Sequence, residues 1–288
     1  MDRLRRLVPT EYGRNPPYCG AFTGLIRCIL TTSGLSYRYG TEQRPVVSRA
    51  IRLRFRKPDG TMGERRFTSY RTYHGPIVAA KSGKWTAIAL MWKPVPALEQ
   101  SFLRTKTTDL ASYMKVAERK ANSSNDTLFG DSKGEIAFLM PQFMPVRNDR
   151  FDYTRPVDGS DPATDWKGLH ALETLPSVLN PRIGWAHNTN DWPWSSAGPD
   201  SPKAADYPRY MDQVGGNARG EHADLLLTGK TGWTPELLRA AAYNSYMPAF
   251  ASLLPGLVKA WDELPENNTR RASLAAPIAL LRRWDYRW

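Results

Sequence analysis

The chain has 288 residues, with 40 Lys and Arg against 28 Asp and Glu, so its formal net charge is +12. All of this surplus lies in residues 1–100, which hold 18 basic and 6 acidic side chains. Such an uneven distribution indicates either an arm that faces an anionic partner or a chain whose two parts have different origins. A hydrophobic fraction of 41% and only two cysteines, Cys19 and Cys28, exclude a disordered chain, a disulfide scaffold and a CxxC zinc site.

Residues 1–35 show neither a helical nor a strand period, and we expect an irregular leader there. The basic side chains Arg3, Arg5 and Arg6 are followed by a polar stretch with two prolines, where a signal peptide would need an apolar core. The sequence as given therefore predicts no signal peptide. No apolar run approaches the length of a membrane span, so a membrane partner is not predicted either.

A basic β-hairpin is predicted over residues 44–71. Residues 46–56 alternate basic and apolar side chains at period two, residues 57–60 form a turn with Pro and Gly, and residues 64–73 are the returning strand. A row of arginines on one face could bind phosphates, as in nucleic-acid binding. A solvated face of an amphipathic hairpin gives the same pattern, and it is the interpretation that we favour.

Both helices and strands are predicted after this hairpin. The predicted helices are residues 97–104, 109–121 with Asp109 as N-cap, 235–244, 247–264 and 271–284. The predicted strands are residues 85–92 and a second hairpin at 127–129 and 135–138. Residues 141–215 are rich in Pro, Gly, Asp and Trp without periodicity, and so long an irregular stretch in a compact protein is normally functional.

No metal site is predicted. The four histidines are not spaced with Cys, carboxylate or one another as zinc ligands would be. The acidic loop at residues 158–165 superficially resembles a calcium loop, but it lacks a downstream Glu and Pro162 disturbs its register. We expect its Asp and Ser side chains to cap turns instead.

The segment around Asn188 and Asn190 is the most informative. On an extended backbone, side chains at i and i+2 point the same way, so both carboxamides would face one site. A carboxamide is a neutral donor that suits a developing oxyanion. Asn-rich turns are common, however, and on the residues alone a structural Asx turn is the favoured explanation over catalysis.

Several longer runs carry a resemblance to a known family. They are residues 73–78, 97–100, 121–131, 155–166 and 180–194. In this order they resemble the central part of the β-chain of the penicillin acylase family of N-terminal nucleophile hydrolases, and the likeness covers residues 36–288. The resemblance implies an α/β fold, namely part of the four-layer αββα sandwich of that superfamily, with long irregular loops and C-terminal helices.

The resemblance also implies a function: hydrolysis of C–N bonds in linear amides, such as N-acyl groups of β-lactam antibiotics or acyl-homoserine lactones, by an N-terminal Ser. By motif position Asn190 is the oxyanion donor, Asn188 supports it and Arg219 orients it. Asn125 and Thr127 fall where the family lines its acyl pocket. No cofactor is implied. The family often binds a structural calcium, whose ligands lie mostly outside this chain, and its members are usually periplasmic or secreted.

One departure from the family pattern matters for activity. The family's β-chain begins with Ser-Asn followed closely by Trp, and no such run occurs here, since Ser123-Ser124-Asn125 belongs to a motif in the middle of the chain. We therefore expect a truncated β-chain without activity alone, whose partners are the small α-chain, the rest of the β-chain and an N-acyl amide substrate. The alternative is a non-catalytic binding protein that uses the basic hairpin on an anionic partner such as nucleic acid.

Overall fold

The structure, a computed structural model, describes residues 24–29, 35–81, 83–122, 125–211 and 216–288, with the backbone alone for the first range. The chain divides into two compact units. The first comprises residues 1–127, 140–176 and 204–213, and the second comprises residues 128–139, 177–203 and 214–288.

The first unit contains most of the strands. They are β1 (Gly24–Ile29), β2 (Ser36–Tyr39), β3 (Glu42–Pro45), β4 (Val47–Arg56), β5 (Met62–Thr72), β6 (Gly75–Lys81), β7 (Lys84–Ala89) and the two-residue β10 (Val157–Asp158). Its sheet has the order β10-β1-β7-β6-β5-β4, and β2 pairs with β3 separately. Helices α1 (Pro94–Leu103) and α2 (Leu110–Ala117) follow β7.

The predicted basic hairpin is confirmed as β4 and β5. Lys57 accepts a hydrogen bond from the Gly60 N–H at 2.9 Å, which closes the predicted turn. The two strands pair over ten positions, from Val47 opposite Arg71 to Arg56 opposite Met62. We call β4, β5 and their turn the Arg ribbon. Strand β6 pairs with β5 only near Arg71, so most of the ribbon extends beyond the sheet.

Strand β1 lies inside the range that we expected to be irregular. It pairs antiparallel with β7 and parallel with β10, so it occupies an inner position in the sheet. A hydrophobic core forms around Tyr37, Val46 and Ala87 of the same unit. Gly75 ends the turn between β5 and β6, and a Cβ there would lie 1.9 Å from the Ile88 carbonyl oxygen. Only glycine fits at this position, which also has a φ of 148°.

Two histidines of the first unit are packed among aromatic rings. His74 lies 3.4 Å from the Asp165 carboxylate, and Tyr39 donates a hydrogen bond to that same carboxylate. This bond to an anion raises the pKa of Tyr39 to about 12. The other histidine, His170, contacts the Tyr210 hydroxyl at 2.7 Å. Burial lowers the pKa of both His74 and His170, because it disfavours the protonated ring.

The second unit combines a small sheet with the C-terminal helices. Its strands are β8 (Thr127–Gly130), which begins at the unit boundary, β9 (Ile136–Leu139) and β11 (Val178–Leu179), in the order β11-β9-β8. Its helices are α3 (Ala218–Leu227), α4 (Pro235–Ala242), α5 (Pro248–Asp262) and α6 (Thr269–Arg282).

The predicted second hairpin and the three C-terminal helices are confirmed, with boundaries shifted by a few residues. Thr234 caps α4 as predicted, with Pro235 at the first helical position. Asp109 caps α2 in a capping box with Ser112. The described part of residues 141–215 contains only short 3₁₀ turns and two-residue strands, as predicted. Within the described ranges, no helix is long and apolar enough to cross a membrane.

Candidate functional site

The two asparagines lie on an irregular loop of the second unit, residues 187–191, which we call the Asn loop. Its backbone is anchored by the His187 N–H, which donates to the Ser196 carbonyl oxygen at 2.7 Å. Asn190 has a φ of 61°, in the left-handed region, so the backbone is not extended there. The expectation that both carboxamides point the same way is therefore wrong.

The two asparagines instead have different tasks. The Asn188 carboxamide oxygen accepts the Asn190 backbone N–H at 3.1 Å, which is an Asx turn. Asn188 thus supports Asn190 through the backbone, and it stabilises the left-handed conformation that Asn tolerates better than most residues. The Asn190 side chain itself is exposed. The turn interpretation therefore holds for Asn188, and a donor role remains open for Asn190.

Helix α3 begins directly against the Asn loop. Asn217 is its N-cap, and the side-chain oxygen accepts the N–H groups of Arg219 and Gly220 at 2.9 and 3.1 Å. The Asn217 side-chain NH₂ donates in the opposite direction, to the Thr189 carbonyl oxygen at 2.9 Å. One side chain therefore satisfies the helix end and fixes the loop in front of it.

Arg219 determines how the Asn190 carboxamide is oriented. Its Nη1 donates to the Asn190 Oδ1 at 3.0 Å, and its Nη2 donates to the Thr189 carbonyl oxygen. A guanidinium has donors only, so the carboxamide must present its oxygen to Arg219 and its NH₂ away from it. Among the residues that the structure describes, this NH₂ has no hydrogen-bond partner. The resemblance places Arg219 beside Asn190, and the structure shows this contact, made from the first turn of α3.

The Asp191 carboxylate, at the end of the Asn loop, also connects this loop to the start of α3. Asp191 Oδ1 accepts the Thr189 hydroxyl at 2.8 Å, and Oδ2 accepts the Asn217 N–H at 3.3 Å. Gly220 allows this close approach, because a Cβ there would lie 3.1 Å from Asp191 Oδ2 and 3.2 Å from Thr189 Oγ1. The loop and the first turn of α3 thus form one hydrogen-bonded unit.

His187 and Asp224 add a further connection that the sequence interpretation missed. His187 is buried, and its Nε2 lies 3.0 Å from Asp224 Oδ1 on α3. Its ring also stacks on Trp185, with 5.9 Å between centroids and 20° between planes. The nearer His222 faces Asn244 instead. No sequence spacing indicates a pair 37 positions apart.

The two candidate acyl-pocket residues belong to the first unit. The Thr127 hydroxyl lies 2.8 Å from the Tyr113 hydroxyl, and Asn125 is exposed, with its N–H bonded to Asn122. Their proposed contact with an acyl group is untested by these contacts.

The acidic loop does not fit a calcium ion. Asp158 accepts the Ser160 N–H and hydroxyl at 2.9 and 2.7 Å, Asp161 caps the next turn, and Thr164 bonds back to the loop carbonyls. These oxygens are used in turn capping, as the sequence predicts. Within the described part of the chain, no group of three His, Cys, Asp or Glu side chains could hold a metal ion.

Comparisons with known proteins agree on one family. The model of the family described as Penicillin amidase matches residues 24–288, which extends twelve residues before the likeness seen in the sequence motifs. Penicillin G acylase from Escherichia coli is 29% identical over 229 residues, which cover 76% of this chain and 25% of that protein.

A solved structure is also similar. The thermostable penicillin G acylase from Alcaligenes faecalis superposes with a TM-score of 0.67 at 20% identity, over 92% of this chain and 46% of that one. This likeness shows a shared fold. The chain spans a quarter of the first relative and less than half of the second.

Proposed function

Because the chain belongs to the penicillin amidase family, we propose that it supplies the oxyanion-binding half of an amide hydrolase site, with Asn190 as the donor. Asn188 supports this donor and Arg219 positions it. The substrates that we propose are linear N-acyl amides, such as the acyl groups of β-lactam antibiotics or of acyl-homoserine lactones.

The observation that carries the proposal is the orientation of the Asn190 carboxamide. Arg219 engages its oxygen, so its NH₂ faces outward with no partner in the described ranges. When a nucleophile attacks an amide carbonyl, the carbonyl oxygen gains negative charge and needs a donor already in place. The Arg219 contact also polarises the carboxamide, which strengthens its N–H as a donor.

The given sequence has no Ser-Asn run followed closely by Trp, with which the family's β-chain begins. We propose that an N-terminal Ser on a separate segment attacks the carbonyl while its own α-amine accepts the proton, as in the family. We further propose that Asn125 and Thr127 contact the acyl group. The partner would carry the remaining part of a four-layer αββα sandwich, to which this chain contributes sheets and C-terminal helices.

Complementation tests this proposal. The E. coli penicillin G acylase would be expressed without the stretch that matches this chain, and this chain would be co-expressed with it. We expect hydrolysis of a chromogenic N-acyl anilide by the pair and none by either part alone. Asn190→Ala should lower turnover by about 10²–10³-fold, because removing one oxyanion donor costs about that much.

A matched control variant distinguishes the role of Asn190 as the donor from the role of Asn188 as its support. Asn188→Ala should lower turnover less than Asn190→Ala, since Asn188 acts on Asn190 through the Asx turn rather than on the substrate. To exclude a folding effect, both variants need the same unfolding midpoint within error. Full turnover in a folded Asn190→Ala pair would show that the oxyanion donor is another group.

A further inference from the structure

Strand β4, the outer strand of the Arg ribbon, is exposed on both faces, unlike β5, where Phe67 and Tyr70 are half-buried. Every residue of β4 except Ile51 is exposed, and Val47, Leu53 and Phe55 are 63%, 50% and 48% accessible. Antiparallel sheets normally bury one face and solvate the other. A two-stranded hairpin in water is at best marginally stable, so a ribbon ten residues long calls for something to cover it.

The two faces differ in chemistry. The alternation of β4 puts Ile51, Leu53 and Phe55 on one face and Arg52, Arg54 and Arg56 on the other. Cross-strand pairing adds Phe67 opposite Ile51 and Arg65 opposite Leu53 on the first face, and Arg66 opposite Arg52 on the second. Along residues 51–56, β4 itself therefore offers apolar side chains on one side and cations on the other.

The cations of the ribbon are only partly neutralised. Residues 47–72 hold eight basic and two acidic side chains. Glu64 pairs with both Arg52 and Arg66. Arg54 and Arg56 have no ion pair with any residue that the structure describes. The basic face thus retains positive charge that is available to pair with carboxylates of a partner.

The outer edge of β4 is open as well. Strand β4 is the last strand of its sheet, and no described strand pairs with its far side. A free edge is a template for an added strand, in which alternate side chains reach the two faces. A strand added here would place every second residue beside Leu53 and Phe55, and the residues between them beside Arg54 and Arg56.

We propose that the Arg ribbon binds a separate polypeptide strand with alternating apolar and acidic residues, which pairs with the β4 edge. A second copy of this chain fits poorly, because antiparallel pairing of two β4 strands brings arginines together on one face, and like charges opposite each other are destabilising. Nucleic acid would match the arginines but would leave the apolar face in water. The proposal does not depend on the catalytic role.

Peptide binding to the full chain tests this pairing. The probe is a fluorescein-labelled nine-residue peptide of alternating Glu and Val, and binding is followed by anisotropy. We expect it to bind at least tenfold more tightly than a peptide with the same composition in two blocks, because only the alternating order matches both faces. Arg54→Glu with Arg56→Glu should weaken binding at least tenfold and should reverse the preference toward an alternating Lys and Val peptide.

Two further variants distinguish binding through the faces of the ribbon from attraction by the overall charge of the chain. Leu53→Thr introduces a β-branched residue that suits a strand, and it should weaken binding severalfold through the loss of apolar surface alone. Lys230→Glu with Arg239→Glu makes the same charge change in the second unit, and it should leave binding unchanged apart from a small salt-dependent effect. Circular dichroism and unfolding midpoints confirm that each variant is folded.

Three results would overturn the proposal. Equal binding of the block and alternating peptides would mean attraction by charge without strand pairing. Tighter binding of a mixed-sequence DNA duplex, lost in the double arginine variant, would assign the ribbon to nucleic acid. A dimer in sedimentation that the arginine variant abolishes would assign the edge to a second copy.

Discussion

The Arg ribbon and the Asn loop differ in how their side chains are held. The ribbon has regular secondary structure with ten cross-strand pairs, yet both faces of its outer strand β4 are exposed. The Asn loop has no regular structure, yet side chains of α3 bind it at several points, including Asn217, Arg219 and Asp224. The comparison shows that a regular backbone does not by itself fix functional side chains, whereas a network of side-chain hydrogen bonds does.

The largest effect should follow from separating the Asn loop from α3. Gly220→Val places atoms where Asp191 and Thr189 now lie, so we expect a loss of about 1–3 kcal/mol in the free energy of unfolding from overpacking. Gly256→Val is the control, because Gly256 in α5 has nothing within 4 Å. Chemical denaturation measures both. Equal stabilities of the two variants would show that the loop does not pack on α3 as described.

A pH titration should reveal His74 and His170 of the first unit, because burial lowers the pKa of both in the folded protein. Below about pH 6.5 the unfolded chain therefore binds more protons than the folded one. Stability should fall as the pH falls from 6.5.

The same titration of His74→Gln with His170→Gln is the control, and its slope should be flatter between pH 6.5 and pH 5. Since the ribbon itself contains no histidine, ribbon variants should keep the slope of the parent. A stability that rises on acidification in this window would contradict the direction given for these two groups.

Asn217→Ala should cost about 1 kcal/mol as a lost N-cap and should also release Thr189. Asn268→Ala is a matched control, because Asn268 caps α6 in the same way through the Arg270 N–H. Hydrogen exchange should become faster in residues 187–191 only in the Asn217 variant. Unchanged exchange there would mean that the other contacts suffice to hold the loop.

The smallest effect is expected on the ribbon. Arg49→Ala removes an exposed cation that has no ion pair with a described residue, so the unfolding free energy should change by less than about 0.5 kcal/mol. The measurement is again denaturant unfolding. A loss above 1 kcal/mol would show that the ribbon is stabilised by contacts within the chain rather than awaiting a partner.

The sequence predicts those features that depend on local chemistry. The alternation of residues 46–56 predicts β4, and Thr234 before Pro235 predicts the start of α4, because period and capping act within a few residues. It does not predict that both faces of β4 are exposed, since burial depends on what else packs there. Of the site, motif likeness gives Asn190 and Arg219 and their mutual contact.

The rest of the site lies beyond sequence reasoning for a physical reason. The contact between His187 and Asp224 arises from the approach of two segments that lie 37 positions apart in the sequence. No local pattern encodes such an approach. The reason for a glycine at position 220 becomes evident only when the carboxylate of Asp191 is located beside it.

The central claim is that Arg219 fixes the Asn190 carboxamide with its NH₂ directed outward. Side-chain ¹⁵N relaxation of the Asn190 NH₂ measures this most directly, with Arg239→Met on α4 as a control for loss of an arginine. We predict an order parameter near 0.85 in the parent and in Arg239→Met, and below about 0.6 in Arg219→Met. A mobile Asn190 side chain in the parent, or one equally rigid without Arg219, would contradict the claim.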